Sequence, residues 1–407
     1  MWLSEATPQQ KRALLAASLG WMLDSMDVML YSLVLTHMMA ALGMTQSTAG
    51  FLASLTLLAS AVGGAVFGLI ADRAGRRPAL TASILVYSVF TAACGFARSV
   101  TELAVFRVLL GLGMGGEWAC GAALVAETWP ARHRGKALGL MQSSWAVGYA
   151  LAAVMTAAVL PRFGWRAVFW VGVAPALVTL WIRRSVEEPE IWRRSRAEAR
   201  GSSQLARLAA LVRGKHGRNV LVTTAVNAGT MFAYWGLFTW IPAYLSTPVA
   251  SGGRGLDVVR TSTWILVMQA GAWLGYVSFG FIADALGRVK TYAAYILAAG
   301  VLVPLYGGAR DPALLLVLGP FMSFFAHGCF SGFGPITAEL FPTAVRASAQ
   351  GFIYNFGRGC SALAPLAVGA LGAERGLGFA FLLTSGAYLA AGLVALAIPE
   401  TRGRELA

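Results

Sequence analysis

Two carboxylates sit in one apolar run near the N-terminus. In GWMLDSMDVMLYSL, Asp24 and Asp27 are three residues apart. On an α-helix that spacing puts both on one face, which Tyr31 extends. Two carboxylates so close in an apolar setting do not both ionise easily, so the pair is suited to hold and release a proton. The plainer alternative is a pair of structural hydrogen bonds between helices. A second run, QGFIYNFGRGCSALAP, groups Arg358 with Tyr354, Asn355 and Ala362 on one helical face. An arginine there keeps its charge and needs an anion. That anion is Asp24, Asp27 or a carboxylate that displaces them; a permanent ion pair is the alternative. A third run separates Arg107 from Glu117 by about 15 Å along a helix axis. Glu117 follows Gly111, Gly113, Gly115 and Gly116, which permit close helix packing. It reads as a second proton site, and Arg107 as a structural residue.

The elements that hold these residues must live in lipid. Of 407 residues, 57% are hydrophobic and 12% charged, with mean hydropathy +0.65. A soluble protein carries roughly 25% charged residues. Stretches of about 20 mainly apolar residues span a bilayer as helices. Twelve such stretches occur, near 13–38, 48–71, 79–98, 100–127, 136–160, 165–183, 219–246, 259–284, 290–308, 312–338, 348–371 and 377–398. They are long and lack strict alternation, which excludes a barrel. An ionisable side chain at mid-bilayer costs at least about 2.5–3.5 kcal/mol. Asp24, Asp27, Glu117 and Arg358 are therefore functional candidates.

Net charge is +14. Loops on one side hold Arg98, Arg162, Arg166, Arg254, Arg260, Arg310 and Arg375; apart from Arg107 and Arg358 within helices, all other Lys and Arg fall on the opposite side. Basic loops stay inside. Both termini are thus expected in the cytoplasm of a bacterium, with the chain in its inner membrane, and the basic balance needs no nucleic acid. Lys11 and Arg12 precede the first apolar run as in a signal peptide, but the run is long and no small-residue cleavage site follows. It reads as a retained helix.

The polar stretch 184–218 reads as a cytoplasmic linker, part of it an amphipathic helix on the lipid surface, between an N-terminal bundle (1–183) and a C-terminal bundle (219–407). The halves repeat at an offset of 212: Gly68 with Gly280, Asp72 with Asp284, Gly75 with Gly287, Arg76 with Arg288, Glu127 with Glu339, Pro130 with Pro342, and Arg134 with Arg346. The expected fold is an all-α membrane protein of twelve transmembrane helices in two pseudo-symmetric six-helix bundles.

Further polar and aromatic residues share helical faces: Gln142, Trp145 and Tyr149; Asn227, Met231 and Tyr234; Gln269, Trp273 and Tyr276. His327 stands in the tenth stretch. These are candidates for lining a cavity, against a packing role for the aromatics and a hydrogen-bonded core role for His327. Cys94, Cys120, Cys329 and Cys360 lie in apolar stretches without CxxC spacing and read as reduced, buried packing residues. The four histidines are scattered, so neither metal nor nucleophilic catalysis is indicated. No Walker A sequence exists, so ATP is not the drive. The chain is not expected to be an enzyme or to hold a cofactor.

GLIADRAGRRP at 68–78 and its degenerate repeat GFIADALGRVK at 280–290 resemble the signature of the major facilitator superfamily. ETWPARHRGKALG, EEPEIW and IPETRGRE resemble its general substrate transporter branch of sugar porters and metabolite–proton symporters. The resemblance covers the whole chain. It implies cytoplasmic charge networks that hold a gate closed, formed by Asp72, Arg76, Glu127 and Arg134 and by Asp284, Arg288, Glu339 and Arg346, with Arg73 and Arg77 in the same loop. The alternative is arginines kept inside to orient the chain. The D-x-x-D pattern of helix 1 is similar to that of aromatic-acid, sialate, monocarboxylate and niacin-type symporters, where it belongs to the coupling and binding site. In those the middle holds Gly and an aromatic; here it is Ser25–Met26.

The expected function is proton-coupled import of a small organic anion, such as an aromatic or short aliphatic carboxylate, by a monomer in the bilayer and driven by a proton gradient. A sugar or polyol symporter is the alternative, although VNAGTMFAYWG lacks the paired glutamines of sugar porters. Efflux antiport lacks its helix 5 motif, and a nutrient sensor would normally add a signalling domain.

Overall fold

The structure is a computed structural model that describes residues 3–173, 177, 181–182, 185–188, 217–341 and 343–401. Most of the expected linker lies outside them. The described elements are α1 (Pro8–Leu42), α2 (Gln46–Ala74), α3 (Arg76–Cys94), α4 (Val100–Thr128), α5 (Ala131–Val171), α6 (Gly217–Phe238), α7 (Ile241–Ser246), α8 (Val258–Leu286), α9 (Arg288–Gly308), α10 (Pro312–Gly328), α11 (Phe330–Leu340), α12 (Thr343–Ser361), α13 (Leu363–Arg375) and α14 (Leu377–Ala395). Side chains cap several starts: Thr7 and Gln10 form a reciprocal capping box on α1, and Ser99 and Asp257 cap α4 and α8.

Ten of the described helical segments are long and apolar enough to span a bilayer. The two expected stretches outside that set have separate reasons. Beyond Gly164 (φ 76°), the 165–183 stretch continues α5 through a kink to Val171 and then largely leaves the described residues. The 348–371 stretch is broken and carries Gln350, Asn355 and Arg358.

Proline explains two of the breaks. Pro242 and Pro365 have no N–H to give the carbonyls of Phe238 and Ser361, so α6 gives way to α7 and α12 to α13 there. A third break falls at Cys329, between α10 and α11. Breaks of this kind free backbone groups inside a membrane-spanning helix, where they can help build a site.

The packing repeats with the sequence. α2 lies on α4, where a Cβ on Gly63 would collide with the Leu112 carbonyl; α8 lies on α10, where one on Gly275 would collide with the Phe324 carbonyl. Both members of the second pair stand 212 residues after the first. Gly115 likewise meets the Ser60 carbonyl. Gly115→Val is therefore expected to force α2 from α4 and, like other overpacked cores, to cost about 1–3 kcal/mol. The check is monodisperse yield and thermal midpoint in detergent; an unchanged midpoint would mean that α4 has room to shift.

The halves meet where α2 packs on α12 and α13 and where α5 packs on α8. Leu58, Val62, Val66, Leu69, Phe281 and Leu393 face outward and exposed, as lipid contact requires. Cys94, Cys120 and Cys329 are buried and outside any disulfide; Cys360 is only half-buried, contrary to expectation.

Candidate functional site

Four charged side chains have been taken fully inside. Asp24, Asp27, Glu117 and Arg358 are 0, 1, 0 and 2% exposed. Their helices are placed by small residues. α1 comes close to α4 at Gly20, one turn before Asp24, where a Cβ would collide with Glu117 Oε1. That approach sets Asp24 and Glu117 within electrostatic range of each other, and both within range of Arg358 on α12. Arg358 stands in the last turn of α12, where the helix dipole favours a cation.

No ion pair closes among these three. Arg358 Nε and NH2, both oxygens of Asp24 and both oxygens of Glu117 have no hydrogen-bond partner among the described residues. Unmade polar contacts in an apolar interior are costly. The guanidinium and the two carboxylates thus lie within electrostatic range of one another without a hydrogen bond or ion pair among them, and one anion or one proton can satisfy part of the set. Asp27 differs from expectation. It turns to α3, where Thr91 Oγ1 donates to its Oδ2 at 3.2 Å, and its Oδ1 packs against Gly172. Arg358 acts on Asp24 and Glu117, while Asp27 stays in electrostatic range of Asp24.

Aromatic side chains from both halves surround the cluster. Trp118, next to Glu117, stacks face to face on Tyr354, with ring centroids 3.8 Å apart and planes 7° apart. Tyr354 lies one turn before Arg358. Trp118 Nε1 also points at Gln142 Oε1 at 3.4 Å. Trp145 Nε1 donates to Tyr234 Oη at 2.7 Å. Tyr234 Oη is 3.3 Å from His327 Nε2, and His327 Nδ1 is 3.2 Å from the Ser323 carbonyl. A carbonyl only accepts, so Nδ1 carries the proton and Nε2 accepts from Tyr234. That chain crosses from one half to the other and uses both nitrogens of His327, which fits a core role. Trp21 and Trp235 pack on Trp145 at 4.6 and 6.0 Å.

Several expected lining residues are otherwise engaged. Tyr31 Oη donates to the Ala49 carbonyl at 2.8 Å, and its ring lies 3.9 Å below the Arg107 guanidinium. Arg107 Nε donates to Thr56 Oγ1 at 2.8 Å, a bracing contact within the first half. Asn227 Nδ2 donates to the Ile353 carbonyl at 2.9 Å and ties α6 to α12. Asn355 turns its amide toward Gly64 of α2. Trp273, expected beside Gln269, is 41% exposed on the outer surface. Gln269 and Tyr149 stay available: both are buried, and neither Gln269 amide atom nor the Tyr149 hydroxyl has a partner among the described residues. Sequence periodicity missed Trp118, Trp21 and Trp235. The adjacency of Trp118 to Glu117 was the one signal for it.

At one end of the bundle the charged loops close in duplicate. Arg76 NH2 pairs with Glu127 at 2.8 Å, and Arg288 Nε with Glu339 at 2.8 Å; Arg288 also reaches Asp284 at 3.7 Å. Glu188 accepts from the backbone N–H groups of Arg76 and Arg77 at 2.9 and 2.8 Å. Glu400 accepts from those of Arg288 and Val289 at 2.9 and 3.4 Å. Glu400 stands 212 residues after Glu188, so the repeat includes the carboxylate that caps each helix N-terminus. Gly75 (φ 116°) and Gly287 (φ 109°) permit the turns, and a Cβ on either would crowd the capping carboxylate. Arg73 is exposed, Arg77 reaches the Val186 carbonyl, and Arg134 is half-buried in the first turn of α5. The side chains of Asp72 and Arg346 lie outside the described residues.

Comparison with known proteins bears on the family and the fold. A family model described as Major Facilitator Superfamily matches residues 17–252. The chain is 34% identical to a protein of Cupriavidus pinatubonensis described as a probable 4-methylmuconolactone transporter, over 99% of this chain and 93% of that one. It is 32% identical to the cis,cis-muconate transport protein of Acinetobacter baylyi, over 96 and 94%. Among solved structures, a D-xylose–proton symporter superposes with a TM-score of 0.78 at 19% identity, covering 98% of this chain and all of that one.

Proposed function

The chain belongs to the major facilitator superfamily, and from that premise we propose that it is a proton-coupled symporter that imports a small organic carboxylate. That it is a membrane transporter and not an enzyme follows from the family and the fold. The finer reading rests on one observation: Arg358 is buried with Nε and NH2 unpartnered among the described residues, within electrostatic range of two carboxylates whose oxygens are also unpartnered.

A substrate carboxylate takes the guanidinium fork with two parallel hydrogen bonds. Its negative charge then disfavours a second anion nearby, so Asp24 takes up a proton. Release of the proton on the other side leaves a carboxylate that competes for Arg358 and expels the cargo. The flat faces of Trp118 and Tyr354 beside Arg358 suit a planar or conjugated acid. Relatives described as carriers of muconate and 4-methylmuconolactone support that class.

The two halves, 1–183 and 219–407, are read as the bodies that rock about this site, joined by the 184–218 segment. The Arg76–Glu127 and Arg288–Glu339 pairs close the end that the basic loops assign to the cytoplasm of a bacterial inner membrane. Their side chains keep 11–26% of their surface in solvent, and ion pairs in contact with solvent are worth about 0–1 kcal/mol each. Replacing Glu127 and Glu339 together by Gln is therefore expected to shift the balance toward the form open at this end by about fivefold. Distance distributions between spin labels at the exposed Ala74 and Leu286 check this. An unchanged distribution would leave the pairs a purely architectural role.

Uptake into proteoliposomes tests the function, with benzoate, nicotinate, cis,cis-muconate and xylose supplied with and without an inward proton gradient and protein-free vesicles as the control. Carboxylate uptake that grows with the gradient is expected. Xylose uptake without carboxylate uptake would overturn the reading in favour of a sugar symporter.

A further inference from the structure

The seam between the halves holds a cleft that the transport reading does not use. α5 and α8 run side by side, and toward the end remote from Gly75 and Gly287 they part around a cavity of about 470 Å³. That volume falls within the range of small-molecule sites, about 300–1,000 Å³. Val154, Ala157 and Ala158 of α5 and Leu266 of α8 form apolar walls. Val154 is 49% exposed, so the cleft opens onto the surface that faces lipid.

Two polar groups interrupt this lining. Arg162 stands at one end, exposed and outside any ion pair among the described residues. Ser262 lines the cleft from α8, is 2% exposed, and its hydroxyl has no hydrogen-bond partner among the described residues. Its neighbours behave differently: Thr261 donates to the Leu256 carbonyl and Thr263 to the Val259 carbonyl, at 3.4 and 2.9 Å. A serine without even that local bond, under an apolar trough with a free cation at its rim, matches one kind of molecule.

We propose that this cleft binds an anionic phospholipid. The acidic headgroup pairs with Arg162, an ester carbonyl accepts from the Ser262 hydroxyl, and an acyl chain lies along Val154, Ala157, Ala158 and Leu266. Because α5 and α8 belong to opposite halves, a lipid held by both enters the free-energy difference between the conformations that the halves adopt. The site is independent of the substrate and of the proton pathway.

Native mass spectrometry of the purified protein, titrated with phosphatidylglycerol and with phosphatidylcholine of the same chain length, tests this. One basic side chain at an anionic headgroup favours it by about fivefold, so phosphatidylglycerol adducts are expected to exceed phosphatidylcholine adducts by about that factor. Arg162→Ala should bring the ratio close to one, and Arg162→Lys should keep most of it. Arg310→Ala, which removes an exposed arginine from the same end but outside the cleft, should leave it unchanged. Ala158→Trp, which fills the cleft with Arg162 in place, should lower adducts of both lipids; should that variant fail to fold, the arginine variants decide alone. Equal retention of the two lipids by the unaltered protein overturns the proposal. So does an Arg310→Ala variant that loses the preference as fully as Arg162→Ala, since the attraction would then be diffuse surface charge.

Discussion

Arg358→Ala should reduce carboxylate uptake to the level of protein-free vesicles. Truncating one member of a buried, hydrogen-bonded charge pair costs about 2–5 kcal/mol. On a substrate carboxylate that is a loss of affinity of at least about thirtyfold. The variant should still fold, because Arg358 closes no ion pair among the described residues and its loss leaves no partner newly orphaned. Arg358→Lys keeps the charge but not the planar fork, and an intermediate rate is expected. Initial rates over a range of carboxylate concentrations, on protein confirmed monodisperse, give the comparison. An Arg358→Ala variant that carries carboxylates at the normal rate would remove the anion from the mechanism.

Asp24→Asn should uncouple transport from the proton gradient while leaving the carrier able to exchange. The amide cannot take up or release a proton, so the site no longer alternates between carboxylate and carboxylic acid. Uptake against a concentration gradient should fall to simple equilibration, whatever pH difference is imposed. Counterflow, in which labelled carboxylate outside exchanges for unlabelled carboxylate inside, should persist because Arg358 is intact. Glu117→Gln separates the two carriers: if Glu117 shares the proton, its variant retains partial coupling. Asp27→Asn should disturb coupling less, since Thr91 already occupies Asp27 on the α3 side. Full accumulation by Asp24→Asn would move the proton elsewhere.

The amino-acid sequence alone carries much of this architecture. The apolar stretches mark the spans because lipid leaves the backbone no other partner. The 212-residue register is visible at Gly75, Arg76 and Glu127 because turns and charges stand out against apolar helices. What periodicity cannot supply is the neighbour of a face. Asp24 and Asp27 share a helical face by spacing, yet the close approach of α4 at Gly20 gives Asp24 to Glu117 and Arg358, while α3 takes Asp27. Asn227 and Tyr31 resemble cavity residues because polar groups in apolar runs attract suspicion; backbone carbonyls on adjacent helices satisfy them instead. Tryptophan in a membrane helix is commonplace, so Trp118 does not stand out, and only the meeting of the halves sets it against Tyr354. The breaks near Phe238 and Ser361 are implicit in Pro242 and Pro365. The Glu188 and Glu400 caps are not, since each depends on a carboxylate reaching a helix far away in the chain.

Substrate and proton share one set of unsatisfied groups, and counting protons at the moment of binding tests that directly. Calorimetric titration of the purified carrier with cis,cis-muconate, in buffers of different ionisation enthalpy, yields the protons taken up per molecule bound. The mechanism predicts net uptake of about one proton by the unaltered protein, in line with one new anion meeting one titratable acid, and none by Asp24→Asn. Tight binding with no proton uptake by the unaltered protein would contradict it.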